Sequence, residues 1–427
     1  MSGQSVAHSN SLEEITKIKW AVTIAASLGW FFDAYVITIY ALSIPLIAKD
    51  FGVSTLVLSG TVGSVFIVGY TIGTIAFGTV GDIFGRKTML GISIVGYGII
   101  TALTGFVHGV WLLALLRFAT GVAGGGELSI GAPYVSEVWN SKNRGTGIGL
   151  MYCFYPVGFV FAVLVFTLIT PLWGWRAVYF FALAPAAIIL VMRLRLEESP
   201  RFQKVIGEIE SGYRRKKVSL LDALHSPVFR YRILVGFLIF VSLTYGYYAM
   251  VFYIPSFVIH HYGLSPTFGA PLVTSLLQVS GILGGLCGGF FSDRIGRRIP
   301  AIILAILGMI TIFFWWGEQW SLMGFCVMVF IGGFIVAYEW AVGIVYVAEI
   351  FPTEVRASGF GWSAGLGRVV SIAAPIGTQV LARHVGVGVA IQISCAIWLC
   401  LITGYLISHE THGSELADHV GQLKHKQ

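Results

Sequence analysis

The chain has 427 residues, 56% of them hydrophobic and only 11% charged, with 53 glycines and a formal net charge of +7. A soluble domain carries about 25% charged residues, so a soluble globular protein is excluded. Apolar runs of about 18 or more residues recur along the whole length, which reads as a polytopic helical membrane protein.

The polar stretch before Trp20 lacks a short apolar core with a small-residue cleavage site, so no cleaved signal peptide is expected. Six helical spans follow, at about 20–44, 56–80, 88–107, 111–137, 146–170 and 174–192. The polar segment 193–232 comes next, with RLRLEESPRFQK and the basic GYRRKKVS. Six more spans cover about 233–258, 268–291, 299–316, 320–348, 358–381 and 387–408. The expected fold is therefore an all-α membrane protein of twelve transmembrane helices in two six-helix pseudo-symmetric halves. Its parts are an N-terminal bundle (1–192), a linker (193–232), a C-terminal bundle (233–408) and a tail (409–427). The cysteines, Cys153, Cys287, Cys326, Cys395 and Cys400, all lie in apolar stretches at no metal-ligand spacing and read as buried small hydrophobes.

Basic residues orient the spans. If the termini and the even-numbered loops face the cytoplasm, those segments hold 22 of the 27 Lys and Arg. The outward loops then hold only Lys49, Arg176 and Arg383, and two more, Arg117 and Arg368, fall inside spans. The positive-inside rule places both termini in the cytoplasm of a cell membrane. The net positive charge follows from this bias and calls for no nucleic-acid partner, although the linker's basic run could touch anionic lipid.

The two halves carry matching marks. GTVGDIFGRK (78–87) ends the second span and GFFSDRIGRR (289–298) ends the eighth, each with the pattern G-x-x-x-D-x-x-G-R-[KR]. Asp82 and Asp293 stand 211 residues apart, as do Arg86 and Arg297. Glu127 and Glu339, Glu137 and Glu349, and Arg144 and Arg356 each stand 212 apart. Six helices followed by six in the same orientation imply a parallel repeat about an axis along the membrane normal. The two aspartates suit capping of helix N-termini or pairing with basic neighbours, and the four Glu and Arg residues suit partner clusters that hold the halves together on the inside. These eight residues are the expected conformational gate.

The doubled motif, the twelve spans and the central linker resemble the major facilitator superfamily. LRFATGVAGGGELSIGAPYVSEVWNSKNRG (116–145), EESPRF (197–202), VAEIFPTEVRASGFG (347–361) and HETHG (409–413) are similar to its sugar-porter-like branch, which includes proton-coupled organic-acid and nicotinate-type transporters. The resemblance implies alternating access, a monomer, and proton coupling by Asp33 with Arg117 of RFATG.

Charges inside the membrane mark function by default. Asp33 lies about thirteen residues into its span, some 20 Å along a helix, and Arg117 falls at a similar depth, so the two can pair if their helices face each other. Asp33 reads as the proton-coupling acid. Glu127 and Glu339 are each a candidate second proton site or a ligand for a polar group of the substrate, Glu127 facing the cavity near mid-depth. Arg368 suits a bidentate grip on a carboxylate, or else neutralises Glu339. Tyr155, Tyr245, Tyr248 and Gln278 are the further substrate contacts, because tyrosine offers an apolar face and a hydroxyl to a ring-bearing ligand. Tyr152, Tyr247 and Tyr253 belong to the same stretches. His260 and His261 read as solvated.

The expected function is proton-coupled symport of a small organic anion, a carboxylate and possibly aromatic. A sugar or polyol symporter is the alternative, disfavoured because VSLTYGYYAM (241–250) lacks the Gln-rich run of sugar porters. No P-loop, nucleophile–base pair or metal cluster is evident, so neither a cofactor nor an enzyme is expected.

Overall fold

A computed structural model of the protein describes residues 2–55, 57–211, 224–265, 269–315 and 320–419, and among these it contains no strand. The linker's GYRRKKVS (212–219) lies outside the described residues, as do the side chains of Tyr253, His260 and Arg383. The first four spans are α1 (Ser2–Phe51), α2 (Gly63–Phe84, entered through a π turn at Val57–Val62), α3 (Arg86–Leu103) and α4 (Val110–Val138). α5 (Arg144–Phe181) and α6 (Leu183–Leu194) hold the fifth and sixth. The break between those two spans falls inside α5 at Gly174, where φ 75° and ψ 173° depart from helical values. The second half comprises α8 (Pro227–Tyr262), α9 (Gly269–Ile295), α10 (Arg298–Trp315), α11 (Leu322–Ile350), α12 (Arg356–Val385) and a last span built from α13 (Val387–Ser394) and α14 (Trp398–Ile407).

The linker is not all loop. α7 (Pro200–Glu210) starts with Pro200 in its first turn and with the Ser199 hydroxyl accepting from the Phe202 N–H at 3.3 Å, a combination that favours a helix start. Its Phe202 and Val205, one turn apart, are buried.

The repeat is visible in the backbone. Gly85 and Gly296 end α2 and α9 with φ of +97° and +100°, a region L side chains rarely adopt, which is why each loop motif keeps a glycine before its arginine. Gly78 and Gly289 make the seams between halves. A β-carbon at Gly78 would lie 2.4 Å from the Ala357 carbonyl oxygen, and one at Gly289 2.4 Å from that of Gly145. So α2 packs on α12 and α9 on α5 at equivalent points. α3, α6 and α10 stay at the rim. Their exposed Ile92, Ile99, Ile188, Val191, Ile303 and Ile310 suit contact with lipid.

Candidate functional site

A cavity lies between the halves. α1 contributes Trp30 and Asp33, α2 Phe66 and Tyr70, α5 Tyr152 and Tyr155, α8 Tyr247 and Tyr248, α11 Trp340 and α12 Arg368. Asp33 is buried and accepts from the Tyr70 hydroxyl at 3.0 Å and from the Tyr97 hydroxyl at 2.7 Å. The Arg368 guanidinium stands 4.2 Å over the Tyr70 ring and donates to the Thr74 hydroxyl at 3.3 Å. Tyr70 thus touches the acid of one half with its hydroxyl and the base of the other with its ring face. Aromatic walls close the sides. Trp30 and Tyr155 lie 5.1 Å apart, Tyr152 stacks on Trp340 at 6.3 Å, and Tyr247 meets Tyr155 edge-on at 6.3 Å. Gln278 does not line the cavity but donates to the Tyr247 hydroxyl at 3.0 Å, fixing that ring.

The loop-motif end is pinned by two equivalent clusters. Asp82 accepts from the Ala357 and Ser358 N–H groups at 3.2 and 2.7 Å, at the N-terminus of α12. Asp293 accepts from the Gly145 and Thr146 N–H groups at 2.8 and 2.6 Å, at the N-terminus of α5. Arg86 pairs with Asp82 and Glu137, and Arg297 with Asp293 and Glu349. The remaining arginines cross over. Arg356 reaches Glu137 at 2.8 Å, and Arg144 reaches Glu349 at 2.7 Å. The tail adds a third tie. The Thr353 N–H donates to the Ala417 carbonyl, Ser141 donates to Glu415, and Arg201 and Lys204 of α7 pair with Asp418.

The model of the Major Facilitator Superfamily matches residues 26–375 and, in a second overlapping stretch, 270–419. The chain belongs to the major facilitator superfamily. It is a multi-pass membrane transporter of twelve helices in two pseudo-symmetric halves. Its relatives include a probable 4-methylmuconolactone transporter of Cupriavidus pinatubonensis, 26% identical over 90% of this chain and 89% of the relative. A niacin transporter of Acinetobacter baylyi is 27% identical over 94% of this chain and 96% of the relative. A solved structure of a proton:xylose symporter of the superfamily, 18% identical, superposes with a TM-score of 0.80 over 96% of this chain and 99% of that one.

In this facilitator Asp33, Tyr155, Tyr248 and Arg368 line one cavity, and several other expectations are corrected. Arg117 does not pair with Asp33. It lies between the rings of Tyr40 and Phe66, at 4.1 and 4.0 Å. Tyr40 is seven residues beyond Asp33 on α1, about two turns or 10 Å along the helix, so Arg117 sits too near the opposite end to reach the acid. Glu127 does not face the cavity: it pairs with Arg193 at 2.5 Å and accepts from the Ser93 hydroxyl at 2.8 Å. Arg193, placed in the linker by the sequence, is in fact 1% exposed within α6. Arg368 does not neutralise Glu339, and neither Glu339 nor Tyr245 lines the cavity. The aromatic residues Trp30, Phe66, Tyr70 and Trp340 and the acid's partner Tyr97 escaped the sequence reading, because an aromatic inside a span looks like packing. Phe66 and Tyr70 one turn apart on α2 were the available signal.

Proposed function

We propose that this transporter is a proton-coupled symporter of a small ring-bearing organic anion. It works by alternating access as a monomer in a cell membrane, with both termini in the cytoplasm. The observation that carries this reading is that one buried acid and one buried guanidinium share an aromatic-walled cavity, joined through Tyr70. Among the described residues the Arg368 guanidinium makes one hydrogen bond, to Thr74. Its remaining N–H groups suit a carboxylate held bidentately. Trp30, Tyr155 and Trp340 suit the faces of a planar ring. The ligands named for the relatives, niacin and 4-methylmuconolactone, are both small ring compounds.

Charge balance gives the coupling. The empty cavity holds one carboxylate and one guanidinium. The loaded cavity holds a protonated Asp33, the guanidinium and the anion. Both are neutral overall, whereas a cavity loaded with only the anion or only the proton carries a net charge. An uncompensated charge near the bilayer centre costs about 2.5–3.5 kcal/mol, so half-loaded carriers cross rarely. The cavity itself therefore takes one proton with each monovalent anion.

The test is uptake of carboxylates and sugars into proteoliposomes, with and without an imposed pH gradient. Ring carboxylates should accumulate in response to an acidic exterior, and Asp33→Asn should abolish that accumulation while the protein still inserts and folds. Gradient-driven accumulation by Asp33→Asn would remove Asp33 as the coupling site. Accumulation of sugars alone would replace the anion reading.

A further inference from the structure

One cation inside the spans is not used by the central site. Arg117 of α4 is 2% exposed, and among the described residues it forms no ion pair and no hydrogen bond, its Nε being buried without a partner. The rings of Tyr40 on α1 and Phe66 on α2 cover it instead. The Tyr40 hydroxyl donates to the Leu58 carbonyl at 2.8 Å, which fixes that ring. Rings over the faces of a guanidinium leave free its N–H edge, the edge that holds a carboxylate bidentately. A buried cation with five N–H donors and no acceptor is costly, and packing alone gives no reason to keep one. The repeat points the same way. Glu127 and Glu339, like Glu137 and Glu349, set an offset of 212 between α4 and α11, which makes Val329 the equivalent of Arg117. Val329 is 0% exposed, so the scaffold at this level needs only an apolar side chain.

Arg117 lines a second cavity, a vestibule toward the end away from the loop motifs. Ala41 and Ser59 line it and are exposed, whereas Phe66 and Arg117 line it and are buried, so it runs from the surface inward to the guanidinium. Ile37, Phe66, Ile67 and Tyr248 line the vestibule and the central cavity alike, so the two share one wall. Phe66 is the key member of that wall. Its ring lies 4.0 Å from the Arg117 guanidinium and 5.7 Å from the Tyr70 ring, and Arg368 stands 4.2 Å over Tyr70. Phe66 and Tyr70, one turn apart on α2, thus link two guanidiniums, one in each cavity.

We propose that Arg117 is an outer docking site for the carboxylate of the transported anion, from which the ligand passes Phe66 to reach Arg368. The site rests on the anion reading of the central cavity and extends it outward. The carboxylate meets the N–H edge of Arg117 between two rings, and the ligand moves on when Phe66 or Tyr248 swings out of the shared wall. Docking is transient. The anion leaves Arg117 before the halves rock, so the central balance of one proton per anion is unchanged. Arg117 itself keeps its charge in every state, about two turns outward of Asp33 and next to the vestibule rather than at the bilayer centre.

A docking site on the route has a kinetic signature. It speeds arrival and departure alike and leaves the equilibrium at the central site where it was. A cation in a cleft raises the arrival rate of an anion about tenfold or more, and the gain falls as salt rises. A residue that only packed the bundle, or one that belonged to the central site, would move affinity instead.

Trp30 and Trp340 line the central cavity and report its filling. The experiment is stopped-flow tryptophan fluorescence of the full-length protein in detergent, mixed with benzoate over a range of salt concentrations. Arg117→Met should slow association and dissociation by about tenfold each, leave the equilibrium affinity unchanged, and remove the salt dependence of association. Arg117→Lys keeps the charge without the planar fork, so it should keep the salt dependence and slow both rates less than Arg117→Met does. Rates and salt dependence unchanged in Arg117→Met overturn the docking site. A change confined to equilibrium affinity overturns it as well, and would assign Arg117 to the scaffold or to the central site. If Arg117→Met does not fold, Arg117→Lys carries the test, and wild-type rates in that variant overturn the site. A wild-type protein that binds no benzoate counts against the anion reading of the central cavity and removes the docking site with it, whereas benzoate binding at rates that Arg117 does not influence overturns the docking site alone.

Discussion

Arg368 is 6% exposed, stacked on Tyr70 and bonded to Thr74, and its removal leaves Asp33 the hydroxyl donors of Tyr70 and Tyr97, so the fold should stay intact. A buried hydrogen bond to a charged group contributes about 1.5–3 kcal/mol, so Arg368→Ala should weaken binding of a ring carboxylate about ten- to a hundredfold. Arg368→Lys keeps the charge but loses the planar fork and should recover only part of that affinity. Calorimetric titration with benzoate checks both, and unchanged affinity in Arg368→Ala would take the guanidinium out of the site. At this scale the sequence was half legible. Asp33 and Arg368 stood out because ionisable groups are rare in apolar spans. Their partners did not stand out, because pairing depends on the depth and rotation of neighbouring helices. Arg117 was within a turn or two of the right level and met two rings instead of the acid. Arg193 was missed because it falls at the frayed boundary of its span, where a basic residue normally reads as a cytoplasmic anchor.

Helix ends carry the next level of organisation. Glu410 caps the first turn of α10, accepting from the Arg297 and Arg298 N–H groups at 3.0 and 2.9 Å and also from those of Thr411 and His412. Partial burial pushes its carboxyl up, but these backbone donors outweigh it and hold the group below the usual carboxylate range. Glu198, its counterpart on α3, has its carboxyl raised, because burial there outweighs the donors from Ser199, Arg86 and Lys87. A carboxyl depressed in the folded state contributes stability above its unfolded pKa, and loses it as pH falls through the folded one. Glu410→Gln should therefore destabilise the detergent-solubilised protein at neutral pH by about 0.3–1 kcal/mol, toward the low end because the group is half exposed. The gap from wild type should close below the ordinary carboxylate range. Thermal unfolding of both proteins across that window measures it, and a gap that persists in acid would mean packing, not charge, sets the cost. The elements themselves were readable from length and apolar runs. α7 was not, since its eleven residues lie in a polar stretch where only Ser199-Pro200 and the spacing of Phe202 and Val205 mark a helix.

At the scale of the whole molecule, the constant offset of 211 to 212 residues made the two halves legible before any coordinate. It did not say that the arginines cross. Arg144 of the first half serves Glu349 of the second, and Arg356 serves Glu137, so each cluster straddles the seam. Two seams of the same design, plus a tail that links Ser141 and α7 to Thr353, join the halves on this side. A carboxylate at a helix N-terminus contributes about 0.3–2 kcal/mol depending on burial, and each 1.4 kcal/mol is tenfold in an equilibrium. Asp82→Ala and Asp293→Ala should each raise the inward-open to inward-closed ratio by about 1.5-fold to thirtyfold on that scale. In the proposed alternating access both seams part in the same opening, so the double variant should shift the ratio by about the product of the two single effects. Spin-label pairs across the α2–α12 and α5–α9 seams report the populations directly. Unchanged distance distributions in both single variants would reduce the loop motifs to turn and capping signals. A double variant no more open than either single one would place the restraint in the tail, and truncation after Ser408 should then open the seams that the aspartates left shut.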